Sequence, residues 1–378
     1  VSHLDGKWGI QINRKRDTVS KLEILVVAGD GIGPEVTVEA ERVLTLVARQ
    51  ADITLKLTHE AFGGASLDLH GVPATEALLK RATEVDAVLL GAVGGPKWDG
   101  VPAERRPEKG LLNLRSRMGV YANLRPAKIF PSLADASPLR RDLAEQVDYM
   151  VVRELIGGLY FGEPRGISGE PGKQVGVNTL TYSEDEIKRI GRRAFEIAQK
   201  RKKKLCSIDK ANVLECMVLW RRTMEALSKD YPDVALSHMY VDNCSMQLVL
   251  NPGQFDVMVC ENMFGDIISD EAGATTGSIG LLPSASLGDH GALYEPIHGS
   301  APDIAGQSKA NPLAAILSVA MLFEHTAKRP DLAAKIEAAV SQVLSKGLRT
   351  GDLMRGDKIG KQLVSTREMA DAVVTELA

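Results

Sequence analysis

The segment Glu261-Asn262-Met263-Phe264-Gly265-Asp266-Ile267-Ile268-Ser269-Asp270-Glu271 begins where an apolar run ends at Cys260. Continued as a helix, it sets Asp266 and Asp270 at i and i+4, both carboxylates on one face and within reach of one ion. Two anions about 5 Å apart repel by roughly 3 kcal/mol at an effective dielectric near 20. That repulsion favours a bound cation or a raised pKa on one carboxyl. Donors that are all oxygen suit Mg2+ or Mn2+ better than zinc. A solvated acidic helix face satisfies the same spacing.

A second constellation follows Pro107, where Glu108, Leu111, Leu112 and Arg115 fall at i, i+3, i+4 and i+7 of a helix that ends before Gly119. An amphipathic surface helix would place two leucines in the same way. Arg125 and Arg153, near the ends of expected elements, add weight to a binding role, because converging guanidinium groups clamp carboxylates bidentately. The run Glu295-Pro296-Ile297-His298-Gly299-Ser300-Ala301-Pro302-Asp303 contains His, Ser and Asp. Their closeness in sequence argues against a hydrolytic triad, whose members come from separate elements, and for a binding loop. Gly29-Asp30-Gly31-Ile32-Gly33, with Asp52 further on, imitates a dinucleotide fingerprint. Its third glycine comes one residue early with Pro34 behind it, so a tight turn with some cofactor contact is the expectation.

These residues need strands and helices to hold them. Leu22 to Ala28 reads as a strand, Gly29 to Gly33 as a turn, and Pro34 to Gln50 as a helix with proline near its first position. Strands near 53–58 and 85–93 enclose a helix near 75–84. Further on come a strand near 149–153, helix 184–200, strand 205–209, helix 214–228 and strand 257–260. Strands alternating with helices predict mixed sheets flanked by helices, in an α/β fold with two sheets. The Gly- and Pro-rich stretch 157–174 is expected to be an extended arm or a loop. Residues 1–20, polar and without a clear period, are expected to be a tail or a processing remnant.

Composition narrows the function classes. With 378 residues, 44% hydrophobic and 25% charged, the chain suits two ordinary globular domains. A net charge of -3 gives no reason to expect nucleic acid. The basic run Arg201 to Lys204 is expected to close a helix C-terminus. No apolar run reaches the roughly 18 residues of a membrane span, and no short apolar secretory segment stands at the N-terminus. Cys206, Cys216, Cys244 and Cys260 form no metal-ligand spacing and read as buried free thiols. A soluble cytoplasmic protein is therefore expected, or one of an organelle matrix if residues 1–20 are a remnant.

Taken together, these residues resemble the β-decarboxylating dehydrogenases that act on isocitrate, 3-isopropylmalate, homoisocitrate or tartrate. The resemblance runs from about Leu22 to the C-terminus. The segments Gly94 to Asp99, Gly110 to Pro126, Arg153 to Gly162 and Glu261 to Glu271 look most like the branch acting on 3-isopropylmalate in leucine biosynthesis. The resemblance implies a two-domain fold that is not a Rossmann fold. Residues 21–120 and 277–378 would form the first domain, on the cofactor side, and 121–276 the second, with a dimerising arm.

It implies NAD and Mg2+ or Mn2+ as cofactors, and a homodimer whose active sites are shared between subunits. Glu108, Leu111, Leu112, Arg115, Arg125, Arg153, Asn212, Val213 and Asp242 would bind the substrate. Asp266 and Asp270, with Asp242 lent by the other subunit, would hold the metal. Lys210, also lent, would deprotonate the hydroxyl, and Tyr160 would protonate the enol. By residue type alone, Lys210 reads as an exposed lysine after a strand and Tyr160 as a packing aromatic. Glu295, His298, Gly299, Ser300, Ala301, Asp303 and Asn311 would bind NAD. Tartrate or homoisocitrate dehydrogenation is the alternative within the enzyme class, and a catalytically silent regulatory subunit, as some multisubunit relatives contain, the alternative outside it.

Overall fold

The computed structural model describes residues 19–355 and 358–378. The expected tail lies outside these residues except for its last two. Leucine, valine and isoleucine at every position from Ile24 to Val27 make β1 (Lys21–Gly29) a strand buried on both sides. Val26 faces one core and Leu25 and Val27 the other, as a period of two requires. Beside it lie β2 (Thr54–His59) and β3 (Ala87–Ala92), the latter buried along its whole length. The chain continues through β4 (Ala122–Lys128), β5 (Asp148–Glu154), the short β6 (Gly166–Ser168) and β7 (Val175–Val177), then β8 (Lys204–Asp209) and β9 (Ala235–Tyr240). It closes the sheet with β10 (Val257–Cys260), β11 (Pro283–Leu287) and β12 (Ala292–Pro296).

Two large sheets were expected, but among the described residues their strands join in a single ten-stranded sheet in the order β2-β1-β3-β12-β11-β4-β5-β10-β8-β9, beside small two-stranded ribbons. The join is β11, antiparallel to both β12 and β4, with Ala285 opposite Tyr294 on one side and Leu124 on the other. Its sequence, Pro-Ser-Ala-Ser-Leu, is short and weakly apolar, so periodicity alone does not mark it as a strand. The strands of 21–120 and 277–378 fill one half of the sheet and those of 121–276 the other, meeting at β11 and β4.

Twelve helices are described, starting with α1 (Gly33–Gln50), α2 (Gly64–His70), α3 (Glu76–Ala82) and α4 (Pro107–Met118). The middle of the chain adds α5 (Arg141–Ala144), α6 (Glu184–Gln199), α7 (Glu215–Ser228), α8 (Val241–Leu250) and α9 (Asn262–Thr275). The last are α10 (Leu313–His325), α11 (Pro330–Ser345) and α12 (Thr366–Leu377). Helix α6 starts at a capping box, Ser183 with Glu186, which satisfies two end groups that the helix leaves unpaired. Helix α10, apolar on nearly every side, is buried among α1, α11 and the sheet.

The basic run after α6 is structural. Arg201 binds Asp148 at 2.9 Å and Asp256 at 2.8 Å. All four cysteines are free, and Cys206, Cys244 and Cys260 are buried. The glycine-rich stretch is an exposed two-stranded ribbon, β6 with β7, presenting Ile167 and Val175 to solvent. Among the described residues, no helix is long and apolar enough to cross a membrane.

Candidate active site

The C-terminal end of β5 and the start of α9 build the charged centre. The Glu261 carboxylate caps α9, accepting the Phe264 N–H at 2.6 Å. Asp266 and Asp270 then follow on one helical face. Arg153 opposes Asn123 across β5 and β4, so Arg153 and Arg125 project from the same side of the sheet. Arg125 Nη1 lies 3.5 Å from both Asp266 and Asp270 and donates to Ser269 Oγ at 2.6 Å. Arg153 pairs closely with Asp266, while its Nε and Nη2 donate to Asn262 Oδ1 at 3.0 and 2.8 Å. Tyr160 donates to the second Asp266 oxygen at 2.9 Å.

Burial, then the neighbouring Arg153 charge, pushes Arg125 down to about 10. Burial also works against the charged form of Asp266, but Arg153 and Arg125 outweigh it and hold that carboxyl below its usual range. Asp270 shifts the other way, raised by burial and by Asp266 against the pull of Arg125. Burial and the adjacent Asp266 push the Tyr160 hydroxyl up to about 12, so it keeps its proton at neutral pH.

A cavity of about 170 Å³ opens beside this centre, lined by Glu108, Leu111, Arg115, Arg125, Glu295 and His298 among others. Helix α4 supplies three of these from one face. Leu112 does not line the cavity, although it shares the helical stripe with Leu111. Arg115 Nη2 donates to Glu295 Oε1 at 2.5 Å, with both side chains buried. Its Nε is buried and meets no acceptor among the described residues, a costly vacancy for a guanidinium unless a ligand fills it.

The loop after β12 is tied to the glycine turn after β1. Ile32 N–H donates to Ser300 O at 2.8 Å, and a Cβ on Gly31 would lie 2.0 Å from that same oxygen. Glu35, at the start of α1, accepts N–H groups from Gly306 and Ser308. His298 Nδ1 bonds the Gly299 carbonyl at 2.9 Å, and burial lowers its pKa, so the ring is neutral. Its Nε2 is buried with no partner among the described residues, leaving one acceptor unpaired. Ala301 adopts φ 36°, which turns the loop there, and Asp303 is exposed beyond it. Asn311 is held by Asp352 and by the Leu313 N–H. Asp52 cannot serve as a ribose-binding acid beside this turn. It precedes β2, which runs parallel to β1, and so lies at the opposite end of the sheet from Gly29 to Gly33.

Lys210 and Asp242 are bound to each other at 2.6 Å, at the ends of β8 and the start of α8. Among the described residues neither bonds to Arg125, Arg153, Tyr160 or Asp266. Asn212 and Val213 stand nearby on an exposed turn, with Val213 68% exposed. No three His, Cys, Asp or Glu side chains gather to hold a cation among the described residues, so this chain offers Asp266 and Asp270 as a pair.

Two supports escaped the sequence reading. Asp30 is buried and accepts N–H groups from Gly64, Ala65 and Gly94, each at 2.8 Å, fixing the segments beside the cavity. A carboxylate between two glycines, Gly29 and Gly31, was the available signal. Asn262 positions Arg153 while donating to the carbonyls of Leu155 and Gly157 at 3.1 and 3.0 Å. Nothing in its sequence neighbourhood separates it from an ordinary first-turn asparagine.

A family model described as isocitrate/isopropylmalate dehydrogenase matches residues 23–373. The 3-isopropylmalate dehydrogenase of Hydrogenovibrio crunogenus is 56% identical over 357 residues, 94% of this chain and 99% of that protein. That of Saccharophagus degradans is likewise 56% identical, with the same shares covered. Among solved structures, isocitrate dehydrogenase from Methylococcus capsulatus superposes with a TM-score of 0.82 at 31% identity, covering 94% of this chain and 99% of that one. The apo β-decarboxylating dehydrogenase of Thermococcus kodakarensis gives 0.74 at 34% identity, covering 94% and 96%.

Proposed function

The chain belongs to the isocitrate/isopropylmalate dehydrogenase family, and we propose that it oxidises and decarboxylates 3-isopropylmalate to 4-methyl-2-oxopentanoate and CO2 in leucine biosynthesis, using NAD with Mg2+ or Mn2+. The likeness to enzymes of that name over 94% of the chain supports the substrate. The observation that carries the site is the convergence of Arg115 and Arg125 on one cavity, with Arg125 also 3.5 Å from Asp266 and Asp270 and Arg153 paired with Asp266.

The residues fit both cofactors. Asp266 and Asp270 offer the oxygen donors that Mg2+ or Mn2+ prefers, and a third would be Asp242 of the partner subunit. The unpartnered His298 Nε2, in a loop pinned by Ser300 and Glu35, suits a polar cofactor. Glu295, Gly299, Ala301, Asp303 and Asn311 complete that proposed surface. When bound, the metal would stabilise negative charge on the hydroxyl and on the enolate left by CO2, and NAD would accept the hydride.

The chain's own groups do the rest. Arg115, Arg125 and Arg153 hold the substrate carboxylates with guanidinium forks. Lys210 of the partner subunit, oriented by its own Asp242, accepts the hydroxyl proton, with Asn212 and Val213 on the same lent turn. Tyr160, protonated at neutral pH, delivers a proton to the enol carbon. Leu111 meets the isopropyl group, while Leu112 shapes the helix behind it and Glu108 borders the cavity. Residues 21–120 with 277–378, and 121–276, act as two domains that meet at β11 and β4. NADH formation from 3-isopropylmalate, with and without Mg2+, tests this reading directly.

A further inference from the structure

A second cavity, of about 330 Å³, lies where α6 crosses the start of β4 and the turn after β11, lined by Tyr121, Arg189, Arg192, Arg193, Glu196 and Asp289. Three arginines at i, i+3 and i+4 of one helix share a single face. Their protein partners leave them poorly matched. Arg189 approaches Glu154 only to 3.7 Å, and Arg193 approaches Glu196 only to 3.7 Å, whereas charge-assisted bonds normally close to about 2.7–2.9 Å. Arg192 makes no ion pair among the described residues. The Nε atoms of Arg189 and Arg193 are buried without an acceptor among the described residues. Asp289 is already engaged by the Tyr121 hydroxyl at 3.3 Å, and the Arg189 guanidinium sits 4.3 Å over the Tyr121 ring.

We propose that this pocket binds a compact tetrahedral oxyanion of the phosphate class, held by Arg189, Arg192 and Arg193. A dianion seated among the three guanidinium groups supplies acceptors that the protein's carboxylates offer only at 3.7 Å, and guanidinium forks match its geometry. The pocket lies on the other side of the sheet from the reaction centre, since Glu154 and Arg153 are consecutive on β5 and point to opposite faces. One hydrogen-bonded series joins the two sides. Glu154 accepts from the Tyr182 hydroxyl at 3.1 Å, that hydroxyl accepts the Asn262 N–H at 3.0 Å, and Asn262 Oδ1 accepts from Arg153 at 2.8 Å. The proposal does not depend on the substrate assigned above.

Calorimetric titration of the intact protein with inorganic phosphate tests it, with sodium chloride at matched ionic strength as the control. Wild-type protein should show saturable binding that chloride does not reproduce. Arg192→Gln/Arg193→Gln should weaken the pocket's component roughly ten- to a hundredfold and leave any binding at the arginines of the reaction centre in place. Arg192→Gln alone, at an exposed position, should weaken it in the same direction with the melting temperature unchanged. Identical phosphate isotherms for wild type and both variants, or heats that chloride reproduces, would overturn the proposal.

Discussion

Lys210 Nζ lies 2.6 Å from Asp242 Oδ1, so the proposed proton acceptor and the proposed third metal ligand are one hydrogen-bonded unit. Both stand away from Tyr160 and Asp266 of their own chain, which a site shared across a dimer would require. Lys210→Ala and Tyr160→Phe should each be nearly inactive as homodimers. Mixed under conditions of subunit exchange, they should regain activity, because one hybrid site has both groups intact. Exchange demonstrated by mass spectrometry, with no activity regained, would rule out the shared site.

Metal dependence is expected from Asp266 and Asp270, which face each other's charge with Arg125 3.5 Å from both. Excess EDTA should abolish turnover, and Mg2+ or Mn2+ should restore it. Asp270→Asn should raise the metal concentration for half-maximal rate about tenfold or more. Full rates from metal-free protein would contradict the assignment.

Cofactor choice is read from Asp303, an exposed carboxylate in the loop carrying His298. A carboxylate there can accept from the ribose 2′-hydroxyl and repels a 2′-phosphate. Wild-type enzyme should show higher kcat/KM with NAD than with NADP, and Asp303→Lys should narrow the ratio. A wild-type preference for NADP would reverse the reading.

Stability should depend on pH through Glu154, which is fully buried and whose carboxyl burial pushes up to about 7. A carboxyl raised in the folded state contributes stability below its unfolded pKa and loses it as pH climbs through the folded one. Between about pH 4.5 and 7, wild-type protein should lose on the order of 3 kcal/mol relative to Glu154→Gln. Urea unfolding of both proteins across that range measures the difference, and parallel curves would show that Glu154 titrates alike in the folded and unfolded chains.

The sequence made most of this legible where pattern and chemistry agree. Asp266 and Asp270 could be placed on one face because 262–275 is a helix, as their spacing predicts. The arginines could be suspected of clamping carboxylates from their type and place, but their convergence depends on the pairing of β4 with β5, which no local pattern reveals. The single sheet was hidden in β11, five residues whose burial comes from their two neighbours and not from their own hydrophobicity. Leu112 shared the stripe of Leu111 yet misses the cavity, because a helix face is broader than the pocket it touches. Asp30 was read only as part of a turn, although its carboxylate holds three backbone N–H groups from two distant segments.

In the proposed site the isopropyl group is met by Leu111, which lines the cavity one turn from Arg115. Three carbons of apolar contact, at roughly 0.8 kcal/mol each, amount to about 2.4 kcal/mol, or some 50-fold in kcat/KM. Initial rates of NADH formation should be measured with 3-isopropylmalate, isocitrate, homoisocitrate, tartrate and malate side by side, in wild type and Leu111→Ser. The account predicts the highest kcat/KM for 3-isopropylmalate, malate behind it by about 50-fold, and isocitrate lower still, its extra carboxylate desolvated against leucine. Leu111→Ser should lower the 3-isopropylmalate rate far more than the malate rate. A higher kcat/KM for isocitrate, homoisocitrate or tartrate in the wild-type enzyme would contradict it.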